Sequence, residues 1–519
     1  MVDDASKQVA KLILPFAVPA GDQIKAFTKD EEMAAVLYLA ESNRKTGDGH
    51  FWKKPDEKLA FIAEVCYPIW LVPWNRETLL FDGLGVTTST LSYNILPDID
   101  AFNHDIQASA KTCETYSKAL SRNANYFQNF TGKEEETIEG LITDPDFIRD
   151  FWVYLLEVQA AKTPFATKAV VSPTINESDI TVFVKELSAL RAKIEEDARN
   201  LEASMTLLTT ATKQKTRAIR EESRKIRKKL TQEIKKVKPR VTREIRQIRK
   251  KHNAQIGKLS KRFAERLRVL RKNRRKLQNL RKKSPTAKRR IKAIDRKIAN
   301  VETAKKLKIS QQRAVRDTCI EKARKILKGL EASRETWIRT KQHEKTLLED
   351  RTSSIITQMN EMVKLKDAGI HEFYRISMDA YGISRPTRRN SSELIYLPFY
   401  LVRYETESKR RYVAYPPSII GSIGILTKVK GILGGARMES FLQSYSKAIT
   451  TLLEQLVMLV QKNPVLEREI CNAAIQASIL RVTELRVGVN RGLKTLKSKK
   501  WLSENDRQTL GQLLYTYSI

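Results

Sequence analysis

Cysteine is scarce in this chain. Cys66, Cys113, Cys319 and Cys471 are scattered over 519 residues, and no CxxC pair occurs. That usage excludes a disulfide framework and a zinc ribbon, and it fits a reducing compartment. The five histidines are equally dispersed, with no HxxxH pair. No uncharged apolar run approaches the ~18 residues that a membrane-spanning helix needs. The best candidate, Leu456–Val460, is far too short. The stretch from Met1 to Lys11 carries Asp3 and Asp4 and lacks the basic-then-apolar order of a signal peptide. A cytoplasmic protein without a membrane span is expected.

Motifs for chemistry are missing as well. There is no GxxxxGK[ST] phosphate loop, GxSxG elbow, HExxH helix or calcium-binding EF loop. Gly83-Leu84-Gly85 and the glycines between 431 and 435 are not followed by Lys-Ser or Lys-Thr, and they read as turns and helix ends. Asp98/Asp100 and Asp144/Asp146 could hold a cation in principle, but Asp at such spacing is ordinarily a turn or cap residue. His50, beside Phe51 and Trp52, reads as a surface loop residue. No catalytic residue, cofactor or metal is expected, and the chain is read as a non-enzyme.

Acidic residues are what one stretch nearly lacks. Between positions 211 and 330 there are 46 Lys and Arg against 9 Asp and Glu, an excess of +37; the whole chain carries +36. The remaining 399 residues are therefore almost neutral, with 50 basic and 51 acidic side chains. A solubility effect would spread charge, whereas this concentration marks a binding surface.

The same region is patterned for long helices. After Asn176-Glu177-Ser178-Asp179, which offers several caps, Leu187, Ile194, Leu201 and Leu208 recur every seven residues, with Leu190, Ala198 and Met205 between them. From Ile226 the apolar positions follow spacings of 4, 4 and 3: 226, 230, 234, 237, 241, 245, 248, 252, 256, 259, 263, 267 and 270. That is an 11-residue repeat, close to the period of a straight helix. His252 is its one polar member and reads as a tolerated seam residue. Pro239 falls off the seam, where a kink is expected. Lys282-Lys283-Ser284-Pro285 breaks the pattern, with Ser284 as cap and Pro285 opening a second helix. That helix shows Ile291, Ile294, Ile298, Val301, Val315, Ile326, Leu330, Trp337, Leu348, Ile355, Met359 and Val363 and ends near Gly369. Arms of roughly 130 to 155 Å, at 1.5 Å per residue, can then fold back on one another about Ser284.

The expected fold is mainly α. A long antiparallel coiled-coil hairpin (176–370, apex near 284, basic outer part 211–330) is inserted between α+β segments 1–175 and 371–519, which together form a compact head. Each segment offers a β-hairpin, near 67–82 and near 396–415. Pro68, Trp70, Leu71, Val72 and Trp74 line up with Pro398, Tyr400, Leu401, Val402 and Tyr404, as a duplication would produce. The layout is similar to that of the SMC ATPases, but the phosphate loop on which they depend is absent, so membership is not implied.

The candidate binding residues are Arg217, Arg220, Arg224 and Arg227 on one helix face, with Arg274, Arg275, Lys276, Arg281, Lys282, Lys283, Lys288, Arg289 and Arg290 around the apex. Solvated coiled-coil faces normally alternate Glu with Lys. Here repulsion is left for an external polyanion to neutralise. Duplex DNA is the favoured partner, read through its backbone, because the arm holds almost no aromatics for stacking on single strands. That implies an SMC-like architectural, chromosome-organising role and nucleoid association. Structured RNA or the ribosome is the second partner class. An enzyme with an unrecognised head site and a scaffold on an anionic membrane are further readings. A homodimer through the head or the coiled coil is compatible with the same seam.

Overall fold

The computed structural model describes residues 10–19, 27–45, 56–128, 130, 132–156, 167–280, 285–381, 391–420 and 442–516. Helix accounts for 69% of it, so the mainly-α expectation holds. Two compact units emerge. The first comprises residues 1–96, 131–200 and 361–519; the second comprises 97–130 and 201–360.

The first unit is built on a mixed sheet to which both ends of the chain contribute. Strand β3 (Lys58–Trp74) pairs along its length, antiparallel, with β8 (Glu393–Glu405). Each continues into its own hairpin partner, β4 (Glu77–Asp82) and β9 (Arg410–Tyr415). The first hairpin turns through Asn75, whose φ of 56° suits Asn better than most residues. The sequence placed both hairpins correctly but started β3 nine residues late. Two short strands add in parallel, β1 (Ala10–Ile13) on β8 and β7 (Ala169–Val170) on β3. Tyr67 lies opposite Leu397, the residue that the sequence alignment of the two hairpins makes its equivalent. The order β4–β3–β8–β9 is therefore pseudo-twofold about that pair, as a duplicated hairpin unit requires.

The central strands are buried on both faces, so their residues read as continuous apolar runs. Phe61, Ala63, Val65, Tyr67, Ile69 and Leu71 pack under α4 (Pro145–Leu156), α7 (Lys447–Lys462) and α8 (Pro464–Gln476). On the other face Ile62, Val402 and Tyr404 meet α1 (Lys29–Ser42) and α9 (Thr483–Ser498). Trp70, Val72 and Trp74 meet Leu187, Ile194, Phe373 and Ile376. The Trp70 indole N–H donates to Ile175 O at 2.9 Å and that of Trp74 to Ser188 Oγ at 2.8 Å. Helix α9 approaches α1 so closely that a Cβ on Gly492 would lie 2.0 Å from Asp30 O.

A charged knot is buried beside the sheet. Glu64 accepts from Lys29 at 2.8 Å and from Lys168 at 2.9 Å, and Lys29 also bonds Glu32 at 2.9 Å. Burial alone would raise the Glu64 carboxyl, but Lys29 and Lys168 hold it below its usual value. Glu32, buried and close to Glu64, is pushed up despite Lys29.

The second unit consists of α2 (Ile99–Ser109), α3 (Cys113–Arg122) and the distal parts of two very long helices, α5 (Glu177–Leu280) and α6 (Pro285–Arg375). Asp98 caps α2 and Asp144 caps α4, accepting backbone N–H bonds at 2.8 Å from Ala101 and 2.9 Å from Asp146. Both carboxylates thus take the role expected of them. Helix α5 stays helical through Pro239, and α6 opens at Pro285 as the Ser-Pro signal predicts. Ser284, His50 and the glycines near 431–435 lie outside the described residues.

Side-chain bonds cross between α5 and α6 along their length. Thr212 Oγ1 and Thr352 Oγ1 are 2.7 Å apart, Lys341 meets Glu222 at 3.1 Å, His252 Nδ1 lies 3.4 Å from Gln312 Oε1, and Arg271 meets Glu302 at 3.0 Å. Helix α3 and its flanking residues are bonded to both. Tyr116 Oη is 2.7 Å from Thr212 Oγ1, and Arg351 and Gln358 donate to the carbonyls of Ser117 and Ala124. The sequence saw helices near 100–130 but not this clamp.

All thirteen seam positions from Ile226 to Leu270 are buried or half-buried, and Leu187, Ile194, Leu201 and Leu208 are fully buried. On α6 three expected seam residues are instead exposed: Val315 at 49%, Ile326 at 64% and Trp337 at 48%. The inward line passes through Gln312, Arg316, Ile320, Ala323, Leu327, Leu330, Arg334, Ile338 and Lys341. Polar residues occupy much of it, so the apolar pattern strayed at these three positions, while the other nine expected seam residues of α6 are buried or half-buried.

Candidate nucleic-acid interface

A helix whose seam repeats every eleven residues keeps any residue and its counterpart eleven positions on along the same line of its surface, because eleven residues complete three turns. The charges of α5 obey that period. Arg227, Lys238, Arg249 and Arg271 lie along one line, and Arg224, Lys235, Arg246 and Arg268 along a neighbouring one. All eight are exposed. Neither line holds an Asp or Glu between Lys213 and Arg271. Glu222, Glu233 and Glu244 recur at the same interval on a different line, so the acids repeat together and leave the basic lines free of carboxylate, with Gly257 and Ser260 at the one uncharged position of each between Arg224 and Arg271.

The sequence reading put the first cluster on one helix face. Arg217, Arg220, Arg224 and Arg227 are all exposed. Arg217 bonds Glu221 at 3.2 Å and Arg220 approaches Glu349 at 4.0 Å. Both are rim contacts of little energetic weight. Nearer the apex, Arg274 is tied to Asp295 at 2.5 Å. Arg275, Lys276, Lys288, Arg289 and Arg290 are exposed. Among the described residues, no carboxylate lies within ion-pair distance of Arg224, Arg227 or those five. Arg281, Lys282 and Lys283 lie outside the described residues.

The two clusters are not brought together. From Arg227 to Arg274 the helix rises about 70 Å at 1.5 Å per residue. Between them run basic lines, two of them through Lys235, Lys238, Arg246, Arg249, Arg268 and Arg271 and another through Lys229, Arg240, Lys251 and Arg262, which the sequence reading missed. The signal was available: the charges carry the same eleven-residue period as the seam.

Comparison with protein-family models, with curated proteins and with solved structures finds no match. The reading therefore rests on geometry and charge.

Elsewhere the chemistry is limited. Among the described residues, no group of three or more His, Cys, Asp and Glu is arranged to hold a metal, and no helix is long and apolar enough to cross a membrane. Burial pushes the Cys66 thiol up to about 12, so it is not a thiolate at neutral pH. The first unit contains a cavity of about 430 Å³ beside strand β5 (Thr88–Asn94), with Thr90, Ser92, Lys366 and Glu372 among its lining. The buried Lys366 ammonium donates to Asn94 O and to Asp197, each at 2.5 Å. Glu372 is the one carboxylate in that lining, which holds no histidine.

Proposed function

We propose that α5 and α6 form an antiparallel coiled-coil hairpin, inserted between two segments that make one head, and that this hairpin grips duplex DNA through its phosphate backbone in an architectural rather than catalytic role. The observation that carries the reading is the acid-free basic lines that run about 70 Å along α5, where Arg271 alone of the eight cations named is bonded to a described carboxylate. A compact anion would need the clusters to converge. An extended one of evenly spaced charge does not, and about 20 base pairs at 3.4 Å per step match that length.

The hairpin itself is supported by register. The bonded pairs 212/352, 222/341, 252/312, 271/302 and 274/295 have position numbers that sum to nearly the same value each time. Antiparallel pairing about an apex near 284 requires this. The Tyr116–Thr212–Thr352 hydroxyl chain fastens both arms to α3 of the same chain, which favours pairing within one molecule.

Backbone capture predicts affinity that falls steeply with salt and shows little sequence preference. The test is equilibrium binding of the purified chain to a 30-bp duplex, a structured RNA of equal charge and acidic liposomes, each at two salt concentrations. Tight, salt-steep, sequence-indifferent duplex binding supports the reading. Clear preference for RNA would reassign the arm to an RNA or ribosome partner. Binding to liposomes alone would overturn it.

A further inference from the structure

The basic lines of α5 lead into a groove. Between α5 and α6 a cleft of about 590 Å³ opens, with Leu267 and Ile309 among its lining. Its flanks are widened by two small side chains, Ala264 and Ser310, where longer ones would fill the space. Four cations line it: Arg271 from α5, and Lys305, Lys306 and Arg313 from α6. The single acid of the lining, Glu302, is already bonded to Arg271 at 3.0 Å. Among the described residues, no carboxylate lies within ion-pair distance of Lys305, Lys306 or Arg313.

We infer that this groove is a discrete phosphate seat, taking consecutive phosphates of a nucleic-acid backbone and fixing the register of the duplex on the arm. The inference rests on the reading of the arm as a nucleic-acid grip and goes beyond it, because the basic lines alone provide only a diffuse field. Three features separate the groove from the rest of the basic surface. It is concave, so several ammonium and guanidinium groups converge on one ligand. Both helices contribute cations, so the seat depends on their pairing. Arg271 is the last cation on its line of α5, so a backbone tracking that line arrives at the groove.

The test compares the full-length wild type with three variants, using fluorescence anisotropy with a labelled 30-bp duplex and, separately, inorganic tripolyphosphate as competitor. The groove variant is K305Q/K306Q/R313Q. The charge-matched control is K229Q/K236Q/R240Q, exposed cations of α5 outside the groove. S310L fills the groove without changing net charge. The expected result is that the groove variant weakens duplex binding at least tenfold more than the control, and that S310L also weakens it while helicity and melting stay at wild-type values. Equal losses in the groove and control variants would overturn the seat while leaving the arm's general function standing. Loss of tripolyphosphate competition with duplex binding intact would overturn the assignment to nucleic acid. No duplex binding by the wild type would overturn both.

Discussion

Neutralising the basic lines of α5 gives the sharpest quantitative expectation. In the variant R224Q/R227Q/R246Q/R249Q, four exposed cations are removed from two neighbouring acid-free lines. None of the four shares an ion pair with a described carboxylate, so their loss leaves no buried or unpaired acid behind, and stability should be unchanged. If each neutralises one phosphate, the slope of log K against log salt should become shallower by about 3.6, since each duplex contact contributes about 0.9. Between 50 and 200 mM salt the wild type should then lose about 150-fold more affinity than the variant. The matched control R243Q/R266Q/K322Q/K325Q removes the same charge from the acid-bearing lines of α5 and from α6, all exposed positions, and its slope should stay close to that of the wild type. Fluorescence anisotropy at five salt concentrations reads both slopes. Identical slopes for the two variants would refute the claim that one face of the helix carries the contacts.

Other consequences concern the scaffold. Glu64→Gln strands Lys29 and Lys168 without their shared partner and should cost about 3–5 kcal/mol, read by denaturant unfolding; Glu32→Gln, losing one lysine contact, should cost less. Because the Glu64 pKa is depressed, its contribution is complete above the unfolded value near 4.3 and is lost as pH falls through the folded one. The stability gap between wild type and Glu64→Gln should therefore shrink below about pH 4, whereas Glu32, whose pKa is raised, acts with the opposite sign in both proteins. Gly492→Ala forces α9 away from Asp30 O and should destabilise by about 1–3 kcal/mol in the same assay. Thr212→Val breaks the hydroxyl chain to both Tyr116 and Thr352 and should cost about 1–3 kcal/mol, whereas Tyr116→Phe removes the contacts to Thr212 Oγ1 and Leu208 O and should cost about 1–2 kcal/mol.

Much of the fold was legible because its signals are local. The 4-4-3 spacing on α5 agrees with burial at every position from Ile226 to Leu270, since a repeat so close to the helical period leaves little ambiguity. The Ser-Pro break marked the start of α6, and two apolar runs with turn residues marked the hairpins. Long-range relations were harder to see. Nothing local says that β3 and β8, more than 300 residues apart, pair with each other, although the likeness of their sequences anticipated their pseudo-twofold relation. On α6 the inward line carries Gln312, Arg316 and Lys341, whose polar ends are satisfied across the helix pair. Val315, Ile326 and Trp337 therefore looked like the better seam. The clamp at α3 depends on Tyr116 and on the carbonyls of Ser117 and Ala124, which leave no pattern in sequence. At the candidate interface the charge excess was plain, but its arrangement into lines emerged only when the seam's own period was applied to the charges.

The most direct test of the account is to shorten the arm in register and measure duplex binding. Excising residues 226–338 and joining the ends by a short Gly-Ser loop keeps the Thr212–Thr352 and Glu222–Lys341 contacts. It removes 41 basic and 9 acidic residues, or +32 of the chain's +36. The account predicts that the shortened protein folds with its head and clamp intact and loses duplex affinity by at least about 100-fold at 100 mM salt. Affinity within a few-fold of the wild type would contradict it.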